Sequence, residues 1–289
     1  MAEFIDRYYG VALVEARHCN PNGDPDAGNR PRTDMMSGLG LMTPMSIKRK
    51  IRKFVESEYG LPLYHRSGAV LRDQRTAATS KHKLPSYKVG DKVTPDQLRA
   101  NQKAVCTEYF DARAFGAVMD LKEAKCMNAS GPVWIGMAET IDPVQVDELG
   151  ITRQSVETEA EKKENRTMGT LNVVAYGLYR FEFEVLPTLA ARTGFSLDDF
   201  TLLKGAMLQA FEQDQAANRR LDLRRVDVFR HASLDGRPCL GHEPRAKLRD
   251  RVVVAKRDGV QHPSKYQDYA VDLNLEGLHE HVHHESWLN

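Results

Sequence analysis

No apolar stretch in the 289 residues approaches the ~20 that a bilayer-spanning helix needs, so a membrane span and a membrane partner are not expected. Cysteine is scarce. Cys19, Cys106, Cys126 and Cys239 lie far apart and form no CxxC pair, which argues against a disulfide framework or a zinc ribbon. The first residues, MAEFIDRYYG, lack the basic-then-apolar pattern of a secretory signal, so a cytoplasmic protein is expected. There is no P-loop, no G-x-G-x-x-G and no G-x-S-x-G, and no Cys/His spacing that suggests nucleophilic catalysis. These gaps leave no convincing enzyme and call for no cofactor. The 41% hydrophobic and 28% charged content is ample for a folded core and excludes wholesale disorder.

The net charge of +1 conceals segregation. Arg30 to Lys103 hold sixteen Lys/Arg against six Asp/Glu, whereas residues 106–289 hold 23 against 29. A basic region on a neutral chain suits a polyanion, because neutralising phosphates releases counterions. A solvated Lys-rich loop region has the same composition, and charge alone does not choose between them.

Tyr8 to His18 (YYGVALVEARH) reads as a strand that ends in the loop NPNGDPDAGNRPR. A helix follows, capped by Thr43 with Pro44 at its first position, and with Ile47, Ile51, Phe54 and Val55 on one face. Its other faces carry Lys48, Arg49, Lys50, Arg52 and Lys53. Gly60 to Lys103 reads as an irregular insertion. A short helix at DARAFGAVMD and a strand at VWIGMAETI come next, followed by a polar, projecting stretch over 142–170. Val173 to Val185 is the clearest strand, with Ala175, Tyr179, Phe181, Phe183 and Val185 on one face. Ser196 and Asp199 start a helix with the stripe Phe200, Leu203, Met207, Leu208 and Phe211. Strands are expected from Val226, over Arg251–Ala255 and over Ala270–Leu275. With the insertions set aside the order is βαββαβ, an α+β ferredoxin-like plan shared with RNA-recognition domains. Tyr176, Tyr179 and Phe181 could stack on bases, but core packing suits most of them better.

Three motifs bear chemistry. Asn20 to Lys53 joins a loop with Gly23 and Gly28, the arginines Arg30 and Arg32, and a helix start rich in free N–H groups, to which Lys48, Arg49 and Arg52 add charge. That conjunction favours phosphate binding over a merely solvated helix face. Asn22, Asp24 and Asp26 alternate as in a calcium loop, yet Ala27 stands where Gly is required and Thr33 where Glu is required, so calcium is rejected. Asp24, Asp26 or Asp34 holding Mg²⁺ against a phosphodiester is an alternative to ordinary turn chemistry, and the turn reading is favoured. His279-Glu280-His281-Val282-His283 matches H-E-x-x-H, but it lies within a His-rich tail. Adventitious metal binding by that tail is expected rather than proteolysis, and no dedicated metal site is assigned.

NPNGDPDAGNRPR followed by KRKIRKFVESEYG resembles the start of the Cascade backbone subunit of type I-C CRISPR systems, the family-seven CRISPR-associated proteins. DARAFGAVM, GPVWIGMAETIDPV and TMGTLNVVAYGLYRFEFEVLPTLAARTGFSLDDFTLL with AFEQDQAANRR continue the resemblance in order, to about Arg230. The TLNVV stretch and the His-rich tail depart from the family's pattern. The resemblance implies an RNA-recognition-like palm (1–59, 108–139 and 173–275), a finger or web insertion (60–107) and a thumb hairpin (140–172), with 276–289 left as a tail. It implies a non-catalytic subunit that binds guide RNA and polymerises head to tail with other copies. Such a subunit joins other Cascade subunits and meets target DNA through the guide. Asn20, Asn22, Arg30, Arg32, Lys48, Arg49 and Arg52 would then contact guide RNA, together with Thr167, Met168 and Gly169 at the thumb base. Met168 either wedges beside a displaced base or packs at the thumb base. Related type III backbone subunits cut RNA with an Asp in the loop after the first strand, which keeps Asp24, Asp26 and Asp34 as the alternative.

Overall fold

The computed structural model describes residues 3–152, 168–214 and 219–289. In chain order the elements are β1 (Arg7–Cys19), β2 (Gly23–Asp24), β3 (Arg30–Pro31), β4 (Leu39–Met42), α1 (Pro44–Tyr59), α2 (Leu71–Lys81), α3 (Pro95–Glu108) and α4 (Phe110–Phe115). There follow β5 (Val133–Ile135), β6 (Ala138–Pro143), β7 (Val146–Thr152), β8 (Met168–Val185), α5 (Pro187–Thr193), α6 (Leu197–Gln213) and β9 (Leu221–His231). The chain closes with α7 (Arg245–Asp250), β10 (Val252–Lys256), β11 (Tyr269–Leu273) and β12 (Val282–Leu288).

The main sheet runs β12-β9-β1-β8-β6-β4, with β5 and β7 also paired to β8. Every pairing in it is antiparallel. The central order β9-β1-β8-β6, with α1 between β1 and β6 and α6 between β8 and β9, is the βαββαβ arrangement expected from the sequence. β1 is buried on both sides, and period-two alternation divides its residues between two cores. Tyr8, Ala12, Val14 and Ala16 face the layer of α1 and α6, along with Tyr179, Phe181 and Phe183 of β8. Tyr9, Val11 and Leu13 face α7 and the β10–β11 hairpin. Both faces are therefore covered, and Tyr179 and Phe181 are core residues rather than stacking platforms. Gly10 is required where β1 crosses β8, because a Cβ there would stand 2.2 Å from the Phe183 ring.

Two expectations need correction. Residues 60–103 are not irregular: they contain α2 and the start of α3. Thr94 and Gln97 form a capping box at the start of α3. The helical pattern of α2 is concealed because its buried face is Arg75, Ala78 and Thr79. Arg75 is sealed in by hydrogen bonds to Ala124 O (2.9 Å), Glu123 O (2.8 Å) and the Tyr64 hydroxyl (2.7 Å). This small core draws on Tyr64, Val105, Tyr109, Ala112, Met119 and Cys126, so it extends past residue 107. The second correction concerns 276–289. Val282–Leu288 is an edge strand on β9, and Trp287 packs on Phe183 (5.6 Å between centroids) and Phe200 (5.8 Å). The H-E-x-x-H match thus runs through a turn, closed by Val282 N–H on His279 O at 2.8 Å, into a strand, and not along the single helix that the zinc-protease motif requires.

The projecting stretch is a hairpin at its base. β7 pairs with the first half of β8 from Val146 opposite Val174 to Thr152 opposite Met168. Gly169 stands opposite Ile151. Thr167 lies outside the described residues. No described helix is long and apolar enough to cross a membrane.

Candidate nucleic-acid interface

The loop after β1 is a tight, internally bonded structure. Gly28 and Asn29 both take left-handed conformations (φ 61° each), and a Cβ on Gly23 would stand 2.0 Å from Asn29 Oδ1. Asn20 is buried and donates Nδ2 to Asn29 O at 2.6 Å. Asn22 Oδ1 accepts from the Thr43 N–H (2.8 Å) and the Thr43 hydroxyl (3.0 Å). Thr43 Oγ1 accepts in turn from Ser46 N–H at 3.3 Å. The loop is thereby tied to the N-cap of α1, where free backbone N–H groups and the helix dipole attract anions.

A groove of about 620 Å³ lies between this loop and α1. Asn20, Asn22, Arg32, Ser46, Arg49, Lys50, Asp214 and Arg219 are among its lining residues. Four of the lining residues are cationic and one is a carboxylate. Asp214, at the end of α6, pairs with Lys50 in the groove floor, with Lys53 at 3.0 Å and with Arg219 at 3.7 Å. Burial raises the Asp214 carboxyl, but hydrogen bonds from Lys50 and Lys53 outweigh it and hold the group below the usual carboxylate range. Asp214 satisfies the buried Lys50 and leaves the groove positive. Arg49 is exposed and has no carboxylate within salt-bridge distance among the described residues.

The helix does not present its cations as one surface. Residues 48 and 52, four apart, project toward α4. Arg52 Nε donates to Asp111 at 2.9 Å, and Asp111 is fully buried. Asp111 also accepts from the N–H groups of Tyr64 (2.6 Å) and His65 (3.1 Å). Burial raises its carboxyl, and hydrogen bonding from His65 and the Arg52 charge more than reverse that. Lys48 Nζ and the Arg52 guanidinium both lie over the Phe115 ring, at 5.2 and 5.1 Å. Burial, and then the neighbouring Arg52, push the Lys48 ammonium down. Lys48 and Arg52 therefore do not join Arg49 in the loop groove. Lys50, expected on a solvated face, is buried in its floor. Arg52 instead lines a second groove with Arg49, Lys53, His65 and Arg66. Arg30 is exposed on β3 opposite Asp24 and outside the groove lining. Met168 and Gly169 are not at the hairpin base as expected: the base is Val146 opposite Val174, and Met168 and Gly169 lie at the far end of the β7–β8 ladder, away from the groove.

The three loop carboxylates have structural partners or none. Asp24 accepts from Asp26 N–H (3.2 Å) and pairs with Arg32 (3.1 Å). Asp34 accepts from Ser37 N–H (2.7 Å), the Ser37 hydroxyl (2.8 Å) and Met36 N–H (3.1 Å). These bonds, that of Ser37 foremost, lower its carboxyl. Asp26 is exposed. Among the described residues no three His, Cys, Asp or Glu side chains converge as a metal centre.

Sequence reasoning missed Asp214 and Arg219, which come from beyond α6; their only signal was the charged end of the AFEQDQAANRR stretch. It also missed a third groove of about 800 Å³ at the far side of β9's start, lined by Arg17, His18, Gln145, Tyr176, Arg220 and His262. Arg219 and Arg220, adjacent in sequence, line different grooves.

Several known proteins are similar to this chain. A protein described as CRISPR-associated protein Cas7 from Haloferax volcanii is 40% identical over 60 residues, which is 21% of this chain and 17% of that protein's length. A solved structure titled CRISPR RNA-guided surveillance complex, pre-nicking, aligns at a TM-score of 0.49 with 17% identity over 81% of this chain and 80% of its own. Another, titled CRISPR RNA-guided surveillance complex, aligns at 0.46 with 16% identity over 82% and 77%. The family model for CRISPR-associated protein Cas7 matches residues 6–274, from the start of β1 to just beyond β11, and the chain belongs to that family.

Proposed function

We propose that this chain is a guide-RNA-binding backbone subunit of a CRISPR surveillance complex, of the type I-C kind, and that it is not a nuclease. The observation that carries this reading is the groove between the β1 loop and α1. There Arg32, Arg49 and Arg219 stand around a helix N-terminus. Such a site holds phosphates without reading bases. Base pairing between guide and target DNA is then left to supply sequence specificity. The β7–β8 hairpin, projecting from the same sheet, is the thumb in this reading, and Met168 and Gly169, toward its far end, reach over the guide. Head-to-tail copies along one guide, with other Cascade subunits at its ends, complete the assembly in the cytoplasm. The type I-C assignment rests on the NPNGDPDAGNRPR and KRKIRKFVESEYG stretches. Asp24 and Asp34 serve turns and an ion pair, which favours a binding role for the loop over cleavage.

The test is the fate of end-labelled, guide-length single-stranded RNA incubated with the protein, Mg²⁺ and an added nuclease. Protection in regularly spaced blocks with the RNA otherwise intact is expected. Mg²⁺-dependent cleavage by the protein alone, abolished by Asp24→Ala or Asp34→Ala, would replace this reading with an endoribonuclease.

A further inference from the structure

The loop groove lies on the α1 side of the main sheet, at the end where β1 finishes and β9 begins. On the opposite side of that end is the groove of about 800 Å³, walled by the close of β1, the root of the β7–β8 hairpin and the loop between β10 and β11. Arg17 stands opposite Tyr176 in the β1–β8 register, so both share the face on which Leu13 and Leu178 pack against Tyr269. Arg17, His18, Arg220 and His262 line this groove and are all exposed; no carboxylate lines it among the described residues. Glu15, 3.9 Å from Arg17, is taken by Arg224 (2.6 Å) and the Tyr266 N–H (2.9 Å). Asp268 is held in its own turn by the N–H groups of Ser264 (2.7 Å) and Lys265 (3.2 Å).

We propose that this groove is a second site for the phosphodiester backbone of single-stranded nucleic acid, with Tyr176 as the surface on which a base stacks. The inference rests on the reading of the chain as a nucleic-acid-binding subunit. Three arguments support it. First, its cations are available. Arg220 has no carboxylate within salt-bridge distance among the described residues. Arg17 keeps about half of its side chain exposed while its Nη2 donates to Ser264 O at 3.0 Å, so the guanidinium is oriented with donors to spare. Second, the walls are set in place by the fold. Gln145 Nε2 donates to Asp147 at 2.8 Å, Gln145 O accepts the Ala175 N–H at 3.0 Å, and Cys19 Sγ donates to Arg220 O at 3.0 Å. His18 takes a left-handed conformation (φ 43°), which costs energy for a residue other than glycine and gathers at functional sites. Third, an aromatic ring is present. Of Tyr176, Tyr179 and Phe181, the latter two are fully buried, and Tyr176 alone is half-exposed and lines this groove. A cationic groove with an aromatic face is the arrangement that holds single strands of any sequence.

The two grooves meet at Arg219 and Arg220. Arg219 lines the loop groove and Arg220 lines this one, as successive residues of an extended chain point to opposite sides. The backbone has two sources: the strand in the loop groove, continued around the end of the sheet past the hairpin root, or a separate strand lying on this face. Both offer the same phosphates, and neither requires the protein to read bases.

The test titrates the full chain with oligouridine RNA across a salt series, using one length that fills a single groove and one that spans both. Arg17→Ala combined with Arg220→Ala should make the slope of log affinity against log salt shallower by ~1.4, two contacts at ~0.7 each. Lysine at both positions should restore the slope. Tyr176→Leu, which keeps an apolar side chain against Leu13 and Leu178, should weaken binding about 10-fold with little change of slope. Losses confined to the longer RNA support one strand crossing both grooves. Losses seen instead when oligothymidine is added to the RNA-loaded chain support a separate strand in this site. Unchanged affinity and slope for both probes, in variants with the wild-type thermal midpoint, overturn the proposal. If Arg49→Ala still flattens the slope in that case, only this groove is removed; a wild-type chain that binds neither probe overturns the underlying reading as well.

Discussion

One helix, α1, puts the same kind of side chain to opposite uses on its two flanks. Toward the β1 loop, Arg49 is exposed at a helix N-terminus beside Arg32 and Arg219, while Asp214 below neutralises the buried Lys50. Toward α4, Arg52 is spent on the fully buried Asp111, and Lys48 lies with it over Phe115. The first flank keeps charge available to a ligand; the second turns charge into tertiary structure. Residue type does not distinguish these roles. What distinguishes Arg49 from Arg52 is whether a carboxylate from elsewhere in the chain reaches the side chain.

That contrast can be broken from either side. The largest effect is expected at the structural carboxylates. Asp111→Ala leaves two N–H groups and Arg52 without their acceptor, and Asp214→Asn leaves Lys50 buried without a counter-charge. Each should cost about 3–5 kcal/mol in denaturant unfolding. A loss under ~1 kcal/mol would mean that these pairs do not hold α1 in place.

A smaller effect, of a different kind, is expected at Arg49. Arg49→Ala should change stability by less than about 0.5 kcal/mol, as surface substitutions do. It should weaken single-stranded RNA binding for all sequences alike and flatten the salt dependence. Arg52→Ala should do the reverse, lowering stability with little direct change in the salt slope.

The pH dependence sharpens the comparison further. Asp111 and Asp214 are held below the usual carboxylate range, so the stability they add is present above pH ~4 and is lost as pH falls through their folded-state values. The buried His231, lowered to about 4, adds a gentler loss as pH falls from ~6.5 toward 4, because the unfolded chain takes up the proton first. His231→Gln should remove that shallow limb and leave the steeper acid transition.

Much of the main sheet and of the helices packed on it was legible in the sequence because their signals are local. The Thr43–Pro44 start of α1, the Ser196–Asp199 capping box of α6 and the alternation along β1 and β8 need only neighbouring residues. α2 was hidden because it buries an arginine where the pattern expects an apolar residue. β12 was hidden because a run of histidines masks the alternation that ends in Trp287. The interface was half legible. The loop, Arg32 and Arg49 stand together in the sequence, but the partner of Arg52 is 59 residues away and that of Lys50 is 164 away. No local pattern reports such a pairing, which is why Lys48, Arg49 and Arg52 read together as charge added at one helix start.

The most direct measurement is the slope of log affinity against log salt for single-stranded RNA, compared between wild type, Arg49→Ala and Arg219→Ala. If the loop-facing groove holds guide phosphates, each substitution should make the slope shallower by ~0.7, one phosphate contact on a single strand. Unchanged slopes in both variants, with the fold intact, would contradict the account and move the RNA to another surface.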